Sequence, residues 1–186
     1  HLSAHEQGLE RMRHLIDKLH ERLPQIDHIV SSASGCGVTI KEYPLHLAND
    51  PEYLDKAKAV VSKVVDVAEL LSEFEFECSP KKVAVHTPCS LLHGQKLSGM
   101  VEKVLKKSGM TIVESRESHL CCGSAGTYSI LQPKLSGRLL TRKLEVLEEN
   151  SPEVIVTANI GCQLHLQSEA DTRVMHWVEL IHKQLV

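Results

Sequence analysis

Glu153–Cys162 reads EVIVTANIGC, an apolar, β-branched run that ends in small residues and then Gly-Cys. Asp27–Cys36 reads DHIVSSASGC, the same pattern over the same span. A helix-like stretch precedes each, Pro133–Glu149 in one case and Glu6–Arg22 in the other. A second match follows each: Arg173–Ile181 reads RVMHWVELI and Lys63–Leu71 reads KVVDVAELL. Two segments matching in the same order describe two copies of one βα module, with Glu42–Ala59 extra in the first. In this register His1 stands opposite Thr127, so the first copy's counterpart of Cys121-Cys122-Gly123 would fall just ahead of His1. The sequence therefore reads as starting directly after a first Cys-Cys-Gly motif. The expected organisation is a first module, truncated at its N-terminus, in residues 1–79 and a complete second module in residues 80–186.

The second copy supplies the rest of the fold expectation. Lys82–Thr87 is a β-branched run ended by Pro88, and Met110–Val113 is a short strand. Gln95–Ser108 has helical spacing at Leu97, Val101, Val104 and Leu105, with Gly109 as its stop. Pro133–Glu149 is a long amphipathic helix, and Thr172–Trp177 is a strand leading into a final helix. Alternating strands and helices predict an α/β protein with mostly parallel sheets, built from two Rossmann-like βα modules.

Composition bounds the function. The 186 residues carry a net charge of −3 and no long basic run, which argues against nucleic acid as a partner. Apolar stretches are short and broken by charge, so no transmembrane segment is expected. Aromatics make up only 3%, so the core must be built from Val, Leu, Ile and Ala. Six cysteines would allow three disulfides. Cys121 and Cys122 are adjacent, however, where a vicinal disulfide is strained, and the composition suits a full core rather than a stapled scaffold. A reduced, metal-binding set is the better reading.

Cys89 in His86-Thr87-Pro88-Cys89 and Cys162 in Ile160-Gly161-Cys162 both sit just past strands. Cys121 and Cys122 sit in Leu120-Cys121-Cys122-Gly123-Ser124-Ala125-Gly126, a small-residue loop before a helix. In an open parallel sheet, loops at the carboxyl ends of strands share one edge, where ligands bind. Thiolates are soft donors that favour zinc or iron–sulfur clusters. Adjacent cysteines suit one cluster reached through two irons, or a sharply bent loop, and Gly123 and Gly126 allow the bend. Cys78 lies outside the pattern and reads as a buried small hydrophobe. His86 and His93 flank Cys89 as outer hydrogen-bond donors or as packed or solvated histidines. The Gly123–Gly126 stretch is a weak phosphate-loop signal, and Glu102 and Lys106 read as an exposed helix pair. No residue looks like a general base for removing a substrate α-proton.

The pattern Cys89 … Cys121-Cys122-Gly123 … Cys162 resembles the cysteine-rich "CCG" domain shared by a heterodisulfide reductase component, lactate-utilisation iron–sulfur proteins and the glycolate oxidase iron–sulfur subunit. HTPCSLLHGQKL, SHLCCGSAGTYSILQP, TANIGCQLHL and HEQGLERMR look most like the last of these. The resemblance covers essentially the whole chain. It implies an iron–sulfur cluster held by Cys89, Cys121, Cys122 and Cys162, of 4Fe-4S type, cubane or noncubane, with zinc as the alternative occupant. It also implies an electron-transfer subunit that takes electrons from flavin-binding glycolate oxidase subunits and passes them towards a quinone pool or membrane acceptor. That would place it in the cytoplasm or on the inner face of the cell membrane. Lactate as the pathway substrate, or a structural docking role, are the alternatives. The chain departs from the wider family's closing Cys-x-x-Cys: it has Cys162-Gln163-Leu164-His165, and Cys36-Gly37-Val38-Thr39 in the first copy. His165 is thus either a fifth ligand or a helix histidine, and Cys36 is expected to hold no metal.

Overall fold

The computed structural model describes residues 4–186; His1, which anchors the repeat register, lies outside them. The first half runs α1 (His5–His20), β1 (Ile29–Ser31), α2 (Ser34–Lys41), α3 (Tyr43–His46), α4 (Leu54–Val61), β2 (Val64–Asp66) and α5 (Val67–Leu71). The second runs β3 (Lys82–His86), α6 (Met100–Lys107), β4 (Thr111–Val113), α7 (Tyr128–Leu131), α8 (Pro133–Glu148), β5 (Val154–Thr157), α9 (Ile160–Gln167), β6 (Val174–His176) and α10 (Trp177–Gln184). Every strand pair in both sheets is parallel, so the α/β expectation holds.

The two copies correspond element by element. α1-β1-α2 and β2-α5 match α8-β5-α9 and β6-α10, and the extra segment of the first copy folds as α3 and α4. β1 pairs with β2 as β5 pairs with β6, with Asp66 opposite Ser31 and His176 opposite Thr157. Asp66 and His176 then do the same job, each accepting a backbone N–H two residues on to cap the following helix.

Strand alternation divides the core of the second half. Val83, Val85, Val154 and Val156 face one layer with Val101, Val104, Leu105, Trp177 and Leu180. Ala84 and Ile155 face the other, with Leu140, Leu144 and Leu147 of α8 and Leu166 of α9. By the same period-two alternation His86 and Thr157 point into this second layer. The strand order β4-β3-β5-β6 reverses between β3 and β5. That switch point opens a crevice past the carboxyl ends of these two strands.

The halves are tied together at the same place. Ser34 N donates to Ala158 O at 3.1 Å, and Gln95 Nε2 donates to Ser34 O and to Asp66 Oδ2 at 3.0 Å. A Cβ on Gly94 would lie 2.6 Å from Val38 Cγ2, so only glycine lets α2 pack this closely. Ala68 of α5 joins the core of the second half.

Two local expectations need correction. The helix read as starting at Gln95 starts at Met100, because Ser90–Gly94 forms a π-helical turn and Gly99 takes a left-handed conformation, φ +71°. Glu102 does not pair with Lys106; its carboxylate turns inward and accepts from Thr87 Oγ1 at 3.0 Å.

Candidate metal centre

The three cysteine segments converge at the switch point. Cys89 follows β3 and opens the π-helical turn, whose first N–H groups, from Leu91 and Leu92, both reach Pro88 O at 2.9 Å. Such turns are frequent at functional sites. Cys121 and Cys122 lie in the loop after β4, bent by Gly123 at φ +95°. A Cβ on Gly123 would stand 2.6 Å from Ser136 O, so conformation and close approach both demand glycine. The Gly123 N–H turns back to Cys121 Sγ at 3.3 Å. Cys162 sits in the first turn of α9, where Asn159 Oδ1 accepts from Gly161 N and Cys162 N.

The thiols form a chain of neighbours: Cys89 lies next to Cys121, Cys121 next to Cys122, and Cys122 next to Cys162. Cys89, Cys121 and Cys162 line a cavity of about 690 Å³, and Cys36 of α2 faces it from the other half. Cys122 lies deeper, 1% exposed. Beside it is His86, and one ligand atom from each of His86, Cys122 and Cys162 lies within 4.8 Å of the others. All six cysteines are free thiols.

Without metal the adjacent thiols of Cys121 and Cys122 hold their protons. The neighbouring Cys122 thiol and burial push Cys121 well above the usual thiol range. Cys122 is lowered by Cys121, but Cys162 and burial outweigh that and push it up to about 12. Burial, aided by the Lys143 charge, takes His86 down to about 3, so the imidazole is neutral. Lys143 of α8 is 1% exposed, and its ammonium donates to Glu117 O at 3.0 Å. Burial lowers its pKa, offset in part by Cys122, Glu117, Cys121 and Cys162. A buried cation beside two or more thiols is the arrangement that an anionic metal–thiolate centre needs.

Residues 83–167 match the family described as a cysteine-rich domain, CCG. They belong to the CCG domain family. The whole chain is also similar to the glycolate oxidase iron-sulfur subunit of Escherichia coli strain K12, 47% identical over 190 residues that cover 100% of this chain and 47% of the relative. It is 32% identical over 149 residues to the probable glycolate oxidase iron-sulfur subunit of Bacillus subtilis strain 168, covering 76% of this chain and 34% of the relative. Lactate utilization protein A of the same strain is 26% identical over 178 residues, 88% of this chain and 74% of that protein. The chain thus spans about half the length, or less, of the two glycolate oxidase relatives.

Within the CCG domain, His165 stands apart from the three-donor group of His86, Cys122 and Cys162. Its Nε2 lies 3.1 Å from Ser136 Oγ, and that hydroxyl donates to Gly123 O at 2.9 Å. His165 therefore braces the Cys-Cys-Gly turn from behind. His93 and His5 are exposed. Cys78 is buried in the core, with its thiol 4.0 Å from Ile181 O. Sequence reasoning passed over Lys143, although its spacing from Leu140, Leu144 and Leu147 sets a charge on the apolar stripe of α8. From sequence, His86 reads as an outer hydrogen-bond donor or a packed or solvated histidine.

Proposed function

We propose that this chain is the electron-carrying part of a flavin-dependent glycolate-oxidising enzyme, with an iron–sulfur centre held by Cys89, Cys121, Cys122 and Cys162. The single observation that supports it best is the meeting of these four cysteines, drawn from three separate segments, at the sheet's switch point. The donor set fits such a centre: soft thiolates, a cavity large enough for several atoms, a buried ammonium to balance charge, and a buried imidazole with both nitrogens unengaged among the described residues. When bound, an iron–sulfur centre stores and releases single electrons. The protein's residues supply the rest. The Asn159-capped N-terminus of α9 orients Cys162, the Gly123 turn spaces Cys121 from Cys122, and Lys143 offsets negative charge.

In this reading residues 1–79 and 80–186 are two modules of one subunit. Electrons come from a flavin-binding partner and leave towards a quinone at the membrane, with the subunit in the cytoplasm or docked on the membrane's inner face. No helix among the described residues is long and apolar enough to cross a membrane. Two relatives support glycolate as the pathway substrate, and the lactate utilization proteins support lactate as the alternative. Zinc is the competing occupant, because the compact His86–Cys122–Cys162 group would also suit one tetrahedral ion. The deciding experiment is anaerobic purification, with iron, acid-labile sulfide and zinc measured per chain beside electron paramagnetic resonance. Iron with sulfide supports the proposal. Stoichiometric zinc retained without oxygen overturns it.

A further inference from the structure

His86 is 2% exposed, and neither Nδ1 nor Nε2 has a hydrogen-bond partner among the described residues. Buried polar atoms in folded proteins are almost always paired, so an imidazole idle at both nitrogens requires an explanation. Its surroundings offer one. A ring nitrogen lies within 4.8 Å of both Cys122 Sγ and Cys162 Sγ. Donors around one tetrahedral metal, with bonds of about 2.0–2.3 Å, stand roughly 3.5–4 Å apart, and donors to different irons of one cluster stand farther apart, so the three atoms lie within reach of a single centre. We propose that His86 is a nitrogen ligand of the metal centre, meeting Cys122 and Cys162 from beneath the cavity.

The proposal rests on the reading that the cysteines hold a metal. Three further features support it. The residue is the last of β3, paired in parallel register with Thr157 of β5, so its backbone is fixed before metal arrives. Imidazole is an accepted partner of thiolates on zinc and on iron–sulfur centres. The Thr157 hydroxyl, on the same sheet face and also buried without a partner among the described residues, is free to accept from the second ring N–H once the ring turns onto the metal, the kind of outer contact that metal-bound histidines use. By contrast His165 already spends Nε2 on Ser136. As a neutral donor added to the four thiolates, His86 brings no further negative charge, so the reduction potential stays higher than a fifth thiolate at this place would set it.

The test compares the parent protein with His86→Leu and His165→Ala, reconstituted anaerobically with iron and sulfide, with and without 15N-imidazole histidine. Electron–nuclear double resonance should find a directly bonded nitrogen that changes with the label, survives His165→Ala and is lost in His86→Leu, with metal affinity down by about tenfold or more. The metal-free His86→Leu protein should melt at a higher temperature than the parent, because an unpaired buried imidazole has been replaced by a hydrocarbon. Should that variant not fold, His86→Asn carries the same spectroscopic test. Iron bound with no coordinated nitrogen, or a nitrogen signal that persists without His86, overturns this assignment alone. A lower melting temperature with unchanged iron content also overturns it, in favour of a structural role. If the parent binds no iron and sulfide, the cluster reading falls and this assignment falls with it.

Discussion

The two halves set the same Gly-Cys in the same place and surround it differently. Cys36 and Cys162 are each the third residue of a helix that follows a parallel strand. Around Cys162, β3 and β4 add Cys89, His86 and the Cys121-Cys122 turn. Around Cys36 the described residues of its own half add no other cysteine, and Thr39, where the wider pattern has a ligand, turns its hydroxyl back to Gly35 O. A thiol at a helix N-terminus becomes a donor site through what neighbouring strands bring to it. The largest expected effect tests this contrast. Cys122→Ala should abolish iron binding, exceeding the ~10–100-fold cost of losing an outer contact, while Cys36→Ala should leave iron per chain unchanged. Equal losses in both variants would mean that the halves share one centre across the cavity.

The buried imidazole of the second half should also answer to acid. The folded pKa of His86 is about 3 against an unfolded 6.5, so between those values the unfolded chain binds the extra proton. Its contribution to stability is complete above about 6.5 and is lost as pH falls towards about 3. The metal-free parent should therefore lose stability over that window, and His86→Leu should flatten the loss. Chemical denaturation at a series of pH values measures it. An unchanged acid limb would place the sensitivity elsewhere.

Much of the scaffold could be read before the structure, for physical reasons. β3 and β5 are β-branched runs buried on both faces, and α8 has apolar residues at three-four spacing, so local pattern and burial agree. The cysteine loops follow strands, and a parallel sheet leaves those loops little choice of edge. What stayed hidden depends on distant partners. Gln95 and Leu97 lie in a helical pattern, yet the Gly94–Val38 contact and the crosslink from Gln95 to Asp66 hold that stretch in a turn. Lys143 falls on the apolar stripe of α8, but its ammonium finds a partner only when the loop carrying Glu117 passes over it. His86 gains its meaning only from Cys122 and Cys162, which are far along the chain.

Lys143 sharpens the comparison in electrostatic terms, since the cation sits beside the thiols of the second half. Lys143→Met removes a positive charge from a low-dielectric site, where an added electron is stabilised by it. The reduction potential of the reconstituted centre should fall by roughly 60–120 mV, equivalent to ~1.4–2.8 kcal/mol for one electron. Lys143→Arg should restore part of the fall, and potentiometric titration followed by electron paramagnetic resonance measures both. A potential indifferent to Met would mean that Lys143 only anchors the Glu117 loop.

The smallest effect sets the same helix cap in the two halves against itself. Asp66 accepts from Ala68 N at 3.0 Å, and its own N–H reaches Glu69 Oε2 at 2.7 Å, completing a capping box. It also accepts from Gln95 Nε2, so one carboxylate caps a helix and fastens the halves. His176, its counterpart, makes a longer 3.3 Å contact from Nδ1 to Val178 N. Losing a cap costs about 0.5–2 kcal/mol, and stranding the Gln95 amide adds about 1 kcal/mol or more. Asp66→Ala should therefore destabilise the protein by ~2–3 kcal/mol and His176→Ala by ~0.5–1 kcal/mol. Asp66→Asn keeps one oxygen to accept from Ala68 N but turns an NH2 donor towards Gln95 Nε2, while removing a buried charge whose pKa burial already raises, and should cost an amount between the other two. Urea unfolding of the metal-free protein separates the three variants. If Asp66→Ala and His176→Ala cost the same, the Gln95 contact is worth nothing and the halves are held by apolar packing alone.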